Sequence, residues 1–288
     1  MVDKPAGWTS HQVVGRCRRL LGTRKVGHAG TLDPMATGVL VVGVNRATRL
    51  LGHLAAHDKT YTATLRLGQA TVTDDAEGQV VAAVGVVGLL PDQVRGAVGQ
   101  FTGEISQIPS SVSAIKVGGK RAYALIRAGE QVELAARTVT VSRFDVLAVR
   151  TALVGDLPVM DVDIVVDCSS GTYIRALARD LGEQLGVGGH LTALRRTRVG
   201  AFDLSHVGLD EVGLAGEVAP PLIAMPLVAR QAFPVVEVDA AQAVDISYGR
   251  PLRVDLPADP TALLHEDRFL ALYRPAGDGH AIAVAVLI

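Results

Sequence analysis

The sequence predicts an α+β fold, because strand patterns and helix patterns both occur along one chain. Residues 61–67 alternate apolar and polar side chains, as a strand with one buried face does. Residues 174–185 place apolar side chains three and four positions apart, which is the spacing of an amphipathic helix. The chain of 288 residues is 49% hydrophobic and 20% charged, which is typical of a protein that forms a core. Its length allows one large domain and a small one, or two ordinary domains.

The other elements follow from local signals. Ser10 is the predicted N-cap of a first helix that ends at Gly22. Residues 27–37 are predicted to be a loop, because they are rich in turn-forming residues, and residues 39–44 a buried strand. Pro91 begins a predicted helix that runs to about residue 100. Further strands are predicted over residues 160–166 and over residues 191–199, the latter with its arginines on the exposed side.

Two segments depart from this pattern. Residues about 106–130, which begin with a proline, serines and glycines, are predicted to leave the core. Prolines near residue 226 mark a linker, and the remaining 55 to 60 residues are few for an independent fold. We therefore expect the C-terminal segment to pack on the rest of the chain.

Composition limits the function. The net charge of −1 argues weakly against a nucleic-acid partner, although basic residues cluster near residues 16–25, 116–127 and 195–198. No window of 18 apolar residues exists, so no membrane span is expected. The N-terminus lacks the apolar run of a signal peptide, and the two cysteines lack the C-x-x-C spacing. We expect a cytoplasmic protein.

The loop of residues 27–38 is the most informative stretch. It carries His28 and Asp33 between a helix and an apolar strand, a common place for a reactive group. From spacing alone, an aspartate that caps a turn beside Pro34 is the better interpretation.

A wider pattern favours a catalytic role. Residues 27–40 resemble the signature loop of the tRNA pseudouridine synthase B family, and four other segments resemble that family's motifs in the same order. The five segments read DKPAGWTS (3–10), GHAGTLDPMATGVL (27–40), KTY (59–61), CSSGTYIR followed by DLG (168–182) and GHLTALRRTR (189–198). Together they extend the resemblance over about residues 1–230.

The resemblance implies a fold and a domain plan. The implied fold is a mixed, mainly antiparallel central sheet flanked by helices, the pseudouridine synthase fold, with a small β-rich PUA-like domain at the C-terminus. The implied catalytic domain covers residues 1–228, including an RNA-contacting excursion at about 106–130. Residues 229–288 would form the PUA-like RNA-binding domain.

The resemblance also implies residue roles. Asp33 matches the catalytic nucleophile, Tyr61 the tyrosine that packs on the target base, and Arg175 the arginine that pairs with the aspartate. The remaining matches concern substrate and backbone contacts. Substrate binding is implied for His28, Tyr61, Tyr173, Leu194 and Lys4, and RNA backbone contact is predicted for Lys116, Arg195, Arg196 and Arg198.

These residue types suit the chemistry of uridine isomerisation. A carboxylate can hold the sugar or the base while the glycosidic bond is broken, and a nearby arginine keeps it ionised. The tyrosine can stack on a base that has been flipped out of the tRNA. No cofactor is implied. The expected partner is the T stem-loop of tRNA, with no membrane and no protein partner, for a monomer that isomerises uridine-55.

Two other functions stay open at this point. A tRNA-binding or tRNA-folding module would need no carboxylate at residue 33. A hydrolase with paired carboxylates, such as Asp33 with Asp58, would release uracil or cleave a glycoside. The sequence does not decide between attack at ribose C1′ and attack at the uracil ring.

Overall fold

The computed structural model describes residues 1–110, 116–117, 120–121 and 134–288, which divide into two compact units. Unit 1 comprises Met1–Asp33, Val39–Ala55 and Val199–Ile288, and unit 2 comprises Pro34–Gly38 and Ala56–Arg198. The division between a catalytic domain and a C-terminal domain at residues 228 and 229 stays a prediction.

The described chain contains both helices and strands. The α-helices are α1 (Ser10–Leu20), α2 (Leu51–Ala55), α3 (Pro91–Ala97), α4 (Ile174–Gln184), α5 (Glu211–Ala215), α6 (Met225–Ala232) and α7 (Ala240–Ser247). The 3₁₀ helices are Asn45–Leu50, Val98–Phe101 and Leu204–His206. The strands are β1 (Val2–Lys4), β2 (Val26–Ala29), β3 (Thr37–Val44), β4 (Lys59–Leu67), β5 (Gln69–Thr71), β6 (Val80–Ala83), β7 (Gly103–Gln107), β8 (Lys116–Val117), β9 (Lys120–Arg121), β10 (Arg137–Val154), β11 (Leu157–Cys168), β12 (Gly189–Val199), β13 (Phe202–Asp203), β14 (Val235–Glu237), β15 (Thr261–His265), β16 (Arg268–Pro275) and β17 (Ala281–Val286).

Unit 2 is built on a sheet with the strand order β12, β4, β11, β10, β7. Strand β11 pairs antiparallel with both β4 and β10, and β10 pairs antiparallel with β7. The residues of β4 alternate between buried and half-buried, as the sequence predicted, so this strand offers one face to the core. Thr37 and Gly38 pair in parallel with Arg195 and Arg196 of β12, which makes the sheet mixed. The predicted α+β class with a mainly antiparallel central sheet is confirmed.

Helix α4 returns the chain to this sheet through a close backbone contact. A Cβ atom at Gly182 would lie 2.2 Å from the backbone of Gly188, so no side chain fits there. Gly186 has a φ of +73° and ends the helix, as predicted. The contact sets the distance between α4 and the start of β12.

Unit 1 joins N-terminal and C-terminal segments in one core. Its four C-terminal strands have the order β14, β15, β16, β17. Phe269 and Leu272 of this sheet belong to the same buried cluster as Val41 and Leu54. The C-terminal segment therefore packs on earlier parts of unit 1, which confirms the expectation drawn from its small size.

Three local predictions were wrong. Residues 26–29 form strand β2, which pairs antiparallel with β3, so the loop is shorter than predicted. The N-cap of α1 is Thr9, whose hydroxyl accepts the backbone N–H of Gln12 at 3.1 Å, whereas Ser10 is the first helical residue. In β12, Arg196 lies on the buried side of the strand. Pairing with the neighbouring strand β3 decides the first of these features, and the alternation of β12 within the sheet decides the third.

The Gly182 contact makes a prediction about stability. We expect Gly182→Ala to lower the free energy of unfolding by about 2 kcal/mol or more, because the added methyl overlaps backbone that cannot move aside. The matched control is Gly15→Ala in α1, where a Cβ meets nothing within 4 Å. That change should leave stability equal or raise it by up to about 1 kcal/mol. Urea denaturation of both variants tests this, and equal stabilities would contradict it.

Candidate active site

The residue before Asp33 is fixed by a serine of helix α1. Ser10 is buried, and its hydroxyl accepts the backbone N–H of Leu32 at 2.9 Å and donates to the Leu32 carbonyl at 3.1 Å. Both backbone groups of Leu32 are therefore held by one side chain. The first turn of α1 sets the position from which Asp33 extends.

Two other predicted residues of unit 1 lie in defined places. His28 is on β2 opposite Val42, and its ring meets the ring of His11 edge-on with centroids 5.5 Å apart. Lys4 is fully buried, and its ammonium donates to the carbonyls of Pro5 at 2.8 Å and Trp8 at 2.6 Å. These bonds make Lys4 a residue that shapes the turn after β1.

Tyr61 and Leu194 lie on the buried faces of neighbouring strands in unit 2. Both side chains are 8% exposed, Tyr61 on β4 and Leu194 on β12. Tyr61 is paired across the sheet with Val166 of β11, which is completely buried. Each of the two predicted pocket residues therefore leaves only a small part of its surface open to solvent.

Two buried cations lie in the same two strands. Lys59 on β4 is 6% exposed and Arg196 on β12 is 1% exposed. Burial lowers the pKa of the Lys59 ammonium to about 8, and the charge of Arg196 acts in the same direction. The alternation of β12 turns the side chain of Arg196 inward with Leu194, so its burial does not favour the predicted contact with the RNA backbone, which stays a prediction.

Arg175 is held by a buried carboxylate that the sequence did not single out. Its Nη1 lies 3.3 Å from Oδ2 of Asp75 and donates to the carbonyl of Thr73 at 2.9 Å. The side chains of Arg175 and Asp75 are 5% and 4% exposed. The other oxygen of Asp75 accepts the Thr73 hydroxyl at 2.5 Å and the backbone N–H of Glu77 at 3.1 Å. A tight turn therefore presents one carboxylate to Arg175.

The position of Arg175 explains why a partner is needed. A cation in the first turn of a helix opposes the helix dipole, and a buried cation also loses its hydration. This mismatch is a signal in the sequence that an acid lies nearby, but it does not identify Asp75 as that acid. The predicted pairing of Arg175 with Asp33 stays a prediction.

A second arginine of α4 repeats the arrangement one turn later. Nη1 of Arg179 lies 3.2 Å from Oδ2 of Asp74, and Nη2 donates to the carbonyl of Ile108 at 2.8 Å. Burial raises the pKa of Asp74, and the arginines oppose that rise.

Tyr173, the predicted pocket residue before α4, is bonded through its backbone to Gln107.

The remaining basic residues predicted to contact RNA differ in their surroundings. Arg195 donates to the Thr37 hydroxyl at 3.3 Å and stays half-buried. Arg198 donates to Asp58 at 2.8 Å. The side chain of Lys116 lies outside the described residues.

The surroundings of Asp58 bear on the hydrolase alternative. The hydrogen bond from Arg198 lowers the pKa of Asp58. A general acid for glycoside cleavage needs a raised pKa, so Asp58 is poorly suited to that role. This disfavours a hydrolase that uses Asp33 with Asp58.

Unit 1 has a basic pocket of about 510 Å³ that sequence analysis did not single out. The residues that line it are Lys25, Asn45, Arg46, Thr48 and Arg49. None of these lining residues is acidic, and the three cations are exposed to solvent. Cations with hydroxyl and amide groups are suited to binding phosphate. The sequence signal was weak, because Lys25 is separated from the others by two strands.

The described residues hold neither a metal-ligating cluster nor a membrane-spanning helix. They include no cluster of three or more metal-ligating side chains. No helix in the described part of the chain is long and apolar enough to cross a membrane.

Comparison with known proteins identifies the family. Residues 18–174 match the TruB family pseudouridylate synthase (N terminal domain), and residues 175–218 match the tRNA pseudouridylate synthase B C-terminal domain. The tRNA pseudouridine synthase B of Cutibacterium acnes is 58% identical over 291 residues, covering 100% of this chain and 97% of the relative. That of Rhodococcus jostii is 63% identical over 253 residues, covering 87% of this chain and 80% of the relative.

Solved structures give the same result for the fold. A chain in the crystal structure of a Cbf5-Nop10-Gar1 complex is 27% identical, with a TM-score of 0.68 over 99% of this chain and 82% of that one. A chain in an H/ACA RNP bound to a substrate RNA containing 2′-deoxyuridine has a TM-score of 0.67 at 25% identity, over 99% of this chain and 82% of that one. With relatives this similar over nearly its whole length, the chain belongs to the TruB family of pseudouridylate synthases.

Proposed function

We propose that the protein is a tRNA pseudouridine synthase that isomerises uridine-55 in the T loop of tRNA. The observation that carries this proposal is the 58% identity to a tRNA pseudouridine synthase B over the complete chain. Asp33, Tyr61 and Arg175 are all present at the positions that the family motifs assign. A module that only binds or folds tRNA would not need this set.

The proposed reaction begins when the target uridine leaves the folded T loop. Flipping a base costs a few kcal/mol, and stacking on the ring of Tyr61 returns about 1 to 3 kcal/mol. Leu194 and Tyr173 would line the pocket, and His28 would fill the space that the nucleotide leaves. Burial of Tyr61 and Leu194 supports this, because a base competes well with water for such a surface.

Asp33 is the proposed nucleophile. Its carboxylate would bond to the substrate while the glycosidic bond breaks and the base turns, so that C5 then joins the ribose. The phenol of Tyr61 is the proposed acceptor of the C5 proton. Arg175 would keep Asp33 ionised, since a nearby cation lowers the pKa of a carboxylate. The Asp75 carboxylate and the Thr73 carbonyl hold Arg175, which supports a fixed position for its guanidinium.

The substrate is large and anionic, so its phosphates need basic contacts outside the catalytic pocket. The pocket formed by Lys25, Arg46 and Arg49 is the best candidate among the described residues, since its lining is basic and free of acids. We also expect a monomer in the cytoplasm that needs no cofactor, because isomerisation requires no redox step and no nucleotide hydrolysis.

The first prediction concerns the nucleophile. Asp33→Asn should abolish pseudouridine formation in unmodified tRNA transcripts, because an amide cannot act as the nucleophile, while tRNA affinity stays within about threefold. Mapping pseudouridine in the T loop and measuring the Kd by filter binding test both parts. An active Asp33→Asn variant would contradict the proposed nucleophile, and a wild-type protein that forms no pseudouridine in any tRNA would exclude the enzyme.

The second prediction concerns the partner of Arg175. Asp75→Asn should lower the free energy of unfolding by about 3 kcal/mol, because it leaves a buried guanidinium without its counter-charge. It should also lower the single-turnover rate by at least about tenfold.

The matched control is Asp145→Asn, which removes an ion pair with Arg143 in which both side chains are about half exposed. This control should show no measurable change in stability or rate, because exposed pairs contribute little. Urea denaturation and single-turnover assays compare the two variants. Equal effects would contradict a special role for Asp75.

The third prediction concerns the basic pocket. Arg46→Ala should weaken tRNA binding and reduce the slope of log affinity against log salt concentration by about 1, as expected for one lost phosphate contact. The control is Arg143→Ala, an exposed arginine of β10 that already pairs with Asp145. Binding measured from low to high salt tests this, and an unchanged slope for Arg46→Ala would reject the pocket as a phosphate site.

A further inference from the structure

Gln107 makes an unusual pair of bonds for a buried glutamine. It is the last residue of β7, and it is 2% exposed. Its Oε1 accepts the backbone N–H of Tyr173 at 2.8 Å, and its Nε2 donates to the carbonyl of the same residue at 3.0 Å. One carboxamide therefore satisfies both backbone groups of Tyr173.

These bonds lie at the start of helix α4. Tyr173 is the N-cap residue of α4, and its own side chain makes no capping hydrogen bond. Because the first N–H groups of a helix have no partner within it, they depend on outside acceptors. Gln107 supplies one acceptor from another strand, so the end of β7 determines where α4 begins.

A neighbouring contact strengthens the same junction. Ile108, the next residue after Gln107, accepts a hydrogen bond from Arg179 of α4 at 2.8 Å through its carbonyl. Three hydrogen bonds thus join residues 107 and 108 to the first two turns of the helix. Arg175 projects from the turn between these attachment points, toward Thr73 and Asp75.

We propose that Gln107 is a positioning residue for uridine isomerisation, which fixes Tyr173 in the substrate pocket and places Arg175 at the start of α4. The inference rests on the proposed function, since it requires that Tyr173 lines the substrate pocket and that Arg175 acts on Asp33. Gln107 itself touches no reacting atom in this scheme. Its loss should slow the chemical step more than it weakens tRNA binding.

The test compares Gln107→Leu with Gln93→Leu, a control that removes a side-chain carboxamide from the start of another helix, α3. Gln107→Leu should lower the single-turnover rate of pseudouridine formation by about tenfold or more, with the Kd for tRNA within about threefold. In the control, Gln93→Leu, the lost side chain is exposed and accepts the Leu90 N–H at 2.8 Å before α3. The control should keep the wild-type rate. A Gln107→Leu rate within twofold of the wild type overturns the proposal.

Gln107→Glu supplies a second readout, which decides the matter if the leucine variant does not fold. A protonated carboxyl group has one donor and one acceptor, as the carboxamide does here, whereas a carboxylate cannot donate to the Tyr173 carbonyl. The ratio of wild-type rate to Gln107→Glu rate should therefore be several times smaller at pH 6 than at pH 8.5. An equal ratio at both pH values overturns the proposal. A wild-type protein without product would refute the proposed function, and with it this inference.

Discussion

The buried ion pair between Arg175 and Asp75 is the interaction on which the candidate site depends most. Moving either charge out of water costs several kcal/mol, so each is stable inside the protein only with the other in place. The first turn of α4 adds an unfavourable dipole for a cation. The turn at residues 73–77 offsets both costs, because it holds the carboxylate of Asp75 by two hydrogen bonds and offers the Thr73 carbonyl as well. The turn at residues 73–77 thus helps to fix the position of Arg175.

The same turn serves a second arginine, and this couples the site to the rest of unit 2. Residues 175 and 179 are one turn apart on α4 and face the adjacent aspartates 74 and 75. Arg179 also binds the chain just beyond β7, where Gln107 holds Tyr173. Gly182 then brings the end of α4 against the backbone before β12, the strand that carries Leu194. One helix, fixed at both ends, therefore relates the arginine to the apolar pocket residues of the sheet.

Local patterns predicted much of this structure, and contacts between segments account for most of what they missed. The alternation of β4 and the periodicity of α4 are properties of single segments, so the sequence alone located both. Strand β2 was predicted to be part of a loop, because its glycine and histidine favour a loop by themselves. Its pairing with β3 makes it a strand. The side chain of Arg196 was predicted to be exposed, because charged side chains normally lie on the protein surface. Asp75 and Gln107 act on residues about 100 and 66 positions away, and no spacing rule connects such residues.

The distribution of charge also resolves the objection that a protein of net charge −1 should bind RNA poorly. Several arginines of unit 2 are neutralised by aspartates of the same unit, so they contribute little to a basic surface. These pairs are Arg66–Asp161, Arg150–Asp163 and Arg198–Asp58. The pocket around Arg46 in unit 1 has three exposed cations and no acid in its lining. Attraction to phosphate falls off within about 10 Å at 0.1 M salt, so a local excess of positive charge matters more than the net charge of the whole chain. A net charge near zero is therefore compatible with a tRNA substrate when cations with no acid beside them lie together, as in this pocket.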